Sequence, residues 1–311
     1  MKAVVYVLTG LFVFVGLFAP ILANHVPVVA RVDGELHFPA FRTFFGEPPP
    51  GPDFETWKRW ESRLGPDSDD WAVMPFIPYG PLEAHAGLAN QRPSMGDHYL
   101  GNDDTGRDVL ARIIHGTRTA LWIALGVVGL AVIIGVPLGA AAGYWGGVID
   151  AVINGLVQIF LCFPPIFFVL AVMAFLGSTV FAVIAVLGLL YWVSFARIAR
   201  GEILSMRERE FVKCARGLGI GPVSLMLRHI LPAIRGPLLV NAAFVAASAV
   251  VVESTLSFLG LGPGLSSVSW GMILMQGKLH AQNGAWHLWF FPSLVLITTV
   301  TCLHTLADRR K

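Results

Sequence analysis

Charged side chains are scarce in this chain. Asp, Glu, Lys and Arg make up 14% of 311 residues, against 55% hydrophobic residues and a mean hydropathy of +0.67. That balance excludes a soluble globular chain of this length. Between Arg118 and Asp308, outside the stretch Arg197–Arg235, only Asp150, Glu253 and Lys278 carry charge. Cysteine is scarce too. Cys162, Cys214 and Cys302 are dispersed, whereas a thiolate zinc site clusters four ligands at short spacing. HExxH, GxSxG and clustered-Asp signatures are missing, so hydrolytic or metal chemistry lacks its convergent groups. His280, His287 and His304 are scattered and read as interfacial or structural. Gly271 to Gly277-Lys278 is a failed Walker A, with five intervening residues instead of four and Leu279 where Ser or Thr is needed. No catalytic residue, cofactor, metal or nucleic acid is expected on this chain.

What the sequence does hold is apolar runs of spanning length. A bilayer-crossing helix needs about 20 apolar residues. Six runs qualify: Ala3–Ala23, Thr119–Gly143, Ala151–Leu176, Ser178–Ala196, Gly236–Leu256 and His287–Leu306. Gly177-Ser178-Thr179 is the natural break in an uncharged stretch too long for one helix. The expected fold class is an all-α membrane protein with six transmembrane helices. Lys2 and its apolar run also have the look of a signal peptide. A signal core is usually about 7–15 residues, and this run is longer, so it reads as an anchor.

The expected organisation follows. Residues 1–24 form the first transmembrane helix and 25–98 an extracytoplasmic cap inserted before the second. Residues 99–118 form an amphipathic interfacial segment, and 119–311 a core with five further helices. The loop 197–235 holds Arg197, Arg200, Arg207, Arg209, Lys213, Arg216, Arg228 and Arg235 against Glu202, Glu208 and Glu210. The positive-inside rule makes it cytoplasmic. Six spans then put both termini in the cytoplasm, in agreement with Arg309-Arg310-Lys311. The turn between Gly143 and Ala151 has no basic residue and is neutral.

Segment 24–96 is rich in proline, tryptophan and charge, including Gly46-Glu-Pro-Pro-Pro-Gly-Pro52, Trp57, Trp60 and Trp71. Proline density leaves one short helix candidate, Asp53–Leu64. The tryptophans favour a compact cap held by aromatic packing over a disordered tether. Next, Val109, Leu110, Ile113 and Ile114 share one helical face while Arg107, Asp108 and Arg112 point elsewhere. Asp104 or Thr105 can cap that helix, which should lie at the membrane surface.

In the third span Phe163-Pro164-Pro165 must interrupt helical hydrogen bonding, either as a pathway-lining break or as a structural kink. Leu259-Gly-Leu-Gly-Pro-Gly264 with Ser269-Trp270-Gly271 reads as an irregular outer connection. Glu253 is the only acidic residue of the last two spans. It is expected either to anchor this outer segment and help form an outer gate, or to snorkel to the interface. Pro164, Pro165, Glu253 and Trp270 are the candidates for the pathway or gate.

In the basic loop, Arg200–Arg216 carries strong helix formers and mixed charge, compatible with a solvated helix. Gly217, Gly219 and Gly221-Pro222 then force a turn. A second helix, Val223–Ile230, should end before Pro232. Two short helices meeting at a glycine elbow make a projection that can seat in another protein.

Glu210-Phe-Val-x-x-Ala215-Arg216-x-Leu218-Gly219-Ile220, followed by Arg228-His-Ile-Leu231-Pro232, resembles the ATPase-docking EAA loop of dipeptide/oligopeptide/nickel permeases of ABC importers. Four more stretches fit that family in order. They are Leu100-Gly-x-Asp103-x-x-Gly106-Arg107-Asp108-Val-Leu-x-Arg112, Gly143-Tyr-x-Gly-Gly147-x-x-Asp150, Phe163-Pro164, and Glu253-Ser-x-Leu-Ser-Phe-Leu-Gly-Leu-Gly262 with Ser269-Trp-Gly271. Together they cover about Tyr99–Asp308. Ile21-Leu-Ala-Asn24, Val32-Asp-Gly34 and Phe38-Pro39 resemble the Yej-type oligopeptide and microcin C permeases in particular.

The resemblance implies a type I ABC importer permease fold in the bacterial inner membrane, importing oligopeptides or peptide-like compounds. It implies as partners a second permease of the same family, two cytoplasmic ATPase domains carrying ATP-Mg, a periplasmic solute-binding protein and the lipid bilayer. A permease for nickel or another small solute is the neighbouring reading, and a polytopic membrane enzyme the more distant one. The chain departs from the pattern where Lys213 replaces the motif glutamate and Cys214 the first alanine. It departs again where Gly155 and Gln158 replace an Arg–acid pair that relatives often carry.

Overall fold

The computed structural model describes residues 2–32, 34–44, 69–94, 98–262, 264 and 267–308. The proline run 46–52, the helix expected at 53–64, Trp57, Trp60 and the basic tail 309–311 lie outside the described residues.

Long apolar helices dominate. They are α1 (Lys2–Leu22), α3 (Val109–Trp145), α6 (Val180–Arg207), α9 (Arg235–Phe258) and α11 (His287–Asp308), with α2 (Pro39–Phe44) a short helix of the cap. Five of these are long and apolar enough to cross a membrane. A sixth crossing requires counting α4 (Gly147–Cys162) and α5 (Pro165–Leu176) as one broken span, bent by 87°. The break falls at Phe163-Pro164, where both residues are extended and Pro165 opens the next helix. Proline removes a backbone donor and clashes with the preceding turn, so one helix cannot pass through.

Two expectations about helix bounds need correction. The segment 109–118 is not a separate interfacial helix but the first part of the 37-residue α3. Its Ala111, Arg112 and Ile113 are buried, and packing has claimed the face that looked like a membrane-surface face. Trp270 and Gly271 are not irregular either. Ser269 caps a helix by accepting from the Met272 N–H at 3.3 Å, and α10 runs Trp270–Leu279.

The fold is also not purely helical. β1 (Val29–Val32) pairs antiparallel with β2 (Glu35–His37) and with β3 (Trp71–Val73), giving the order β2-β1-β3. Val26, Ala30 of β1 and Ala40 of α2 form its buried apolar cluster, with Val32 and Ala72 packed against them. Trp71 is 42% exposed, so this tryptophan does not hold the cap together by burial.

The chain forms two compact units, one built mainly on Trp122–Glu253 and the other on the described parts of Gly10–Leu121 with Ser254–Ile297. In the first, α3 and α6 pack backbone to backbone. A side chain at Gly135 would strike the Trp192 carbonyl, one at Gly139 the Ala196 backbone, and one at Gly143 the Arg200 carbonyl at 2.8 Å. Partners advance together along both helices, at every fourth residue, so the two run parallel. This is the small-residue stripe that lets membrane helices approach closely. Parallel packing means that α4 and α5 bring the chain back to the level where α3 entered the contact. The 16 residues of α4 rise about 24 Å, close to the roughly 26 Å that α3 covers between Gly126, where a side chain would meet Ile184 of α6, and Gly143.

Candidate functional site

The loop between α6 and α9 projects as two short helices on a shared apolar base. α7 (Glu210–Gly217) opens with Glu210 in its first turn, where a negative charge complements the helix dipole. It ends in a Schellman turn. The Gly219 N–H donates to the Arg216 carbonyl at 2.9 Å and the Ile220 N–H to the Ala215 carbonyl at 3.1 Å, with Gly219 at φ +77. Glycine is needed there because that backbone conformation crowds any Cβ. Pro222 then starts α8 (Pro222–Leu225), a position where its missing N–H costs nothing.

The second helix does not stop before Pro232, as the sequence implied. A π-turn, Met226–Ile230, closes with the Leu231 N–H on the Met226 carbonyl, and Leu231–Ala233 continues helically. The wider turn relieves the clash that Pro232 would impose on a regular helix.

Beneath this elbow Val212, Leu225, Met226, Ile230 and Ile234 are buried with Ile203, and Ala215, Ile220 and Leu231 pack against them. The outward side is the reverse of that base. Leu218 at the apex is 82% exposed, and Phe211, Val223 and Leu227 are exposed as well. Arg209, Lys213, Arg216 and Arg228 surround them, also exposed. Lys213, which stands in place of the motif glutamate, lies 3.5 Å from Glu208 in a solvated pair that adds little stability. An apolar apex in a basic frame, held from behind by a packed base, is suited to seating in a partner's cleft.

The stretch Gly143–Asp150, which the resemblance singled out without a role, flanks the loop. Asp150, on the first turn of α4, accepts from Arg200 Nε and Nη2 at 2.6 and 2.7 Å. Tyr144 lies under the Arg216 guanidinium, 4.7 Å from ring centroid to carbon. The recurrence of glycine at 135, 139 and 143 was the available signal for this corner.

In the other unit, the turn before α3 is built by two aspartates. Asp103 accepts from the Thr105 N–H, the Thr105 hydroxyl and the Arg107 N–H at 2.8–2.9 Å. Gly106, at φ +80, closes against the His85 backbone with no room for a side chain. These bonds hold 99–108 as a turn, so Asp103, Gly106 and Arg107 lie before the helix and not on it. The cap of α3 is Asp108, not Asp104 or Thr105. Its Oδ1 accepts from the Ala111 N–H at 2.7 Å and its Oδ2 lies 2.7 Å from His98 Nδ1.

Asp103 Oδ2 also meets Arg107 Nε at 2.7 Å and the buried Arg112 guanidinium. Burial raises the Asp103 carboxyl, but Arg112, then Arg107, outweigh it and hold it below the usual carboxylate range. Arg112 reaches on to Gln276 Oε1 at 2.5 Å, and Gln276 Nε2 donates to Asp104 at 2.8 Å. These links fasten α10 to α3 and to the turn before it, across 164 and 172 residues of sequence. Trp270 completes the attachment: it is buried and its Nε1 donates to the Ile113 carbonyl at 3.1 Å.

Of the pathway and gate candidates, Pro164 and Pro165 are exposed at the α4–α5 break, and Glu253 on α9 is 1% exposed. No group of three or more metal-ligating side chains occurs among the described residues.

Comparison with known proteins sets this geometry in context. Residues 135–311 match the family described as binding-protein-dependent transport system inner membrane component. A putative peptide permease of Brucella suis biovar 1 is 35% identical over 235 residues, covering 75% of this chain and 77% of that protein. The oligopeptide transport system permease protein OppC of Haemophilus influenzae is 33% identical and covers 75% of each. OppC of Escherichia coli K12 is 33% identical over 247 residues, covering 79% of this chain and 77% of its own. Among solved structures, inward-facing forms of the MetNI methionine ABC transporter align with a TM-score of 0.53 at 18% identity, over 64% of this chain and 94% of that one.

Proposed function

Because this chain belongs to the binding-protein-dependent inner membrane component family, the permease components of ABC importers, we propose that it is one of two permeases of an importer of oligopeptides or peptide-like compounds. Membership makes it a multi-pass inner-membrane transport component that works with an ATPase, a binding protein and a second permease. The oligopeptide reading draws on the names of its relatives, peptide permeases from Brucella, Haemophilus and Escherichia.

The observation that carries the mechanism is the loop elbow. Leu218 and Gly219 project from a rigid base, between helices α6 and α9 that both enter the membrane. In this reading the loop lies in the cytoplasm and seats one of two ATPase domains. Those domains bind and hydrolyse ATP-Mg and close and open with the cycle. The elbow transmits that displacement to the spans as a differential contact between two states. The chain performs no chemistry itself. Six crossings with both termini inside fit the parallel packing of α3 and α6, which is met when α4 and α5 together recross the bilayer.

Glu253 belongs to this reading as a gating residue. An ionised carboxylate at membrane depth costs at least about 2.5–3.5 kcal/mol, and its burial argues against simple snorkelling. Glu253→Gln is expected to alter transport, or to uncouple ATP hydrolysis, at normal assembly. Wild-type transport and hydrolysis in both Glu253→Gln and Glu253→Ala would remove the gating role.

Substrate class is tested by uptake in cells lacking the chain and complemented with it. The panel is short peptides, a peptide–nucleotide antibiotic of the microcin C kind, and nickel. Peptide uptake restored by the chain supports the proposal. Restoration of nickel uptake alone would replace it with the small-solute reading.

A further inference from the structure

The turn that joins α3 to α4 carries no basic residue, yet it is fastened at both ends. At one end Arg216, from the last turn of α7, stacks over the Tyr144 ring. Tyr144 itself packs on the apolar base of the loop and meets Trp145 edge-on at 5.5 Å. Gly146 and Gly147, at φ +67 and +55, then reverse the chain. At the other end Asp150 is clamped by two hydrogen bonds from Arg200, and its Oδ1 also accepts from Asn154 at 2.6 Å. Arg207 Nη1 donates to the Gly143 carbonyl at 3.4 Å. The base of α4 is therefore held by side chains from α6 and, through Tyr144, by the loop. From that base α4 leads directly to the Phe163-Pro164 break.

We propose that the turn 143–150 is a second element of the coupling apparatus. Tyr144, gripped by Arg216 of the loop, and Asp150, gripped by Arg200 of α6, make the base of α4 follow the loop and the helix that leads into it, so displacement of a docked ATPase reaches the α4–α5 break through this turn. Tyr144 and Asp150 are positioning residues: they touch neither nucleotide nor solute. The inference rests on the loop being the ATPase seat. The planar guanidinium–ring contact and the two-pronged carboxylate contact suit the task because each fixes orientation as well as distance.

The test uses the complete permease–ATPase complex in lipid nanodiscs. Cys162, Cys214 and Cys302 are replaced by Ser, and spin labels are introduced at Leu161→Cys and Phe181→Cys, both exposed positions at the far end of α4 and the start of α6. The interlabel distance is measured without nucleotide and with ATP–vanadate. The wild-type distance is expected to shift between the two states. Tyr144→Leu combined with Asp150→Asn is expected to lose that shift while the ATPase still co-purifies and hydrolyses ATP. Tyr144→Phe, which keeps the ring, should shift as the wild type does. Should the double variant fail to assemble, Asp150→Arg alone must lose the shift and Asp150→Arg with Arg200→Asp must recover it. A wild-type shift retained in the variants, or no shift in the wild type despite hydrolysis, overturns the inference and leaves the docking reading standing. A wild-type complex from which no ATPase can be recovered overturns the docking reading itself.

Discussion

At the scale of single residues, Gly219 separates conformational need from packing need. A Cβ built there meets nothing within 4 Å, yet φ is +77. Gly219→Val therefore creates no clash and costs only the left-handed strain, about 1–2 kcal/mol. Membrane insertion should be normal and ATPase stimulation by the loop lost, measured as hydrolysis in the reconstituted complex. Undiminished stimulation in that variant would take the elbow out of the mechanism. His25 carries a pH signature. Burial pushes its imidazole below the usual histidine range, opposed by Glu83. Its unfolded form takes a proton below about pH 6.5 while the folded form stays neutral until a lower pH. Stability of the segment around His25 is thus expected to fall as pH drops below that value, and His25→Gln to flatten the dependence. A melting profile with the same slope in both proteins would contradict this.

At the scale of elements, the contact between α3 and α6 depends on which glycine is altered. Gly139→Val drives a branched side chain into the Ala196 backbone, an overpacking cost of about 1–3 kcal/mol. Gly129→Val, on the same helix, meets nothing within 4 Å. The first should lower the thermal transition of the detergent-solubilised protein and the second should not; equal effects would argue against the close approach. The same elements mark what the sequence could reveal. The end of α7 was legible because Gly219 and Pro222 punctuate the loop with residues of fixed conformational meaning. Its start was not: the helix expected over Arg200–Arg216 is divided, its first part continuing α6 to Arg207 and α7 beginning at Glu210. The break after α4 was legible as a place, since Pro164 and Pro165 remove donors there. Its 87° bend was not, because a lost hydrogen bond does not say where the chain turns. The three-stranded sheet escaped notice because strands of three or four residues are too short for alternation to register. Arg112 looked like a surface charge until Asp103 and Gln276 met it in the interior, and Gln276 lies far along the chain. Periodicity carries no information about such a pairing.

At the scale of the molecule, an apolar bundle carries one charged, projecting loop. That division of labour is what a permease driven by a separate ATPase requires. In the proposed reading the bundle supplies two conformational states, and the loop supplies the contact through which ATP binding favours one of them. The most direct measurement places a photo-crosslinking amino acid at Leu218, the exposed apex of the elbow, in membranes containing the whole importer. After illumination, the predicted result is a covalent adduct between this chain and the ATPase subunit, its yield changing when ATP–vanadate traps the closed state. An adduct with the extracytoplasmic binding protein, or none with an ATPase that is present and active, would contradict the central claim.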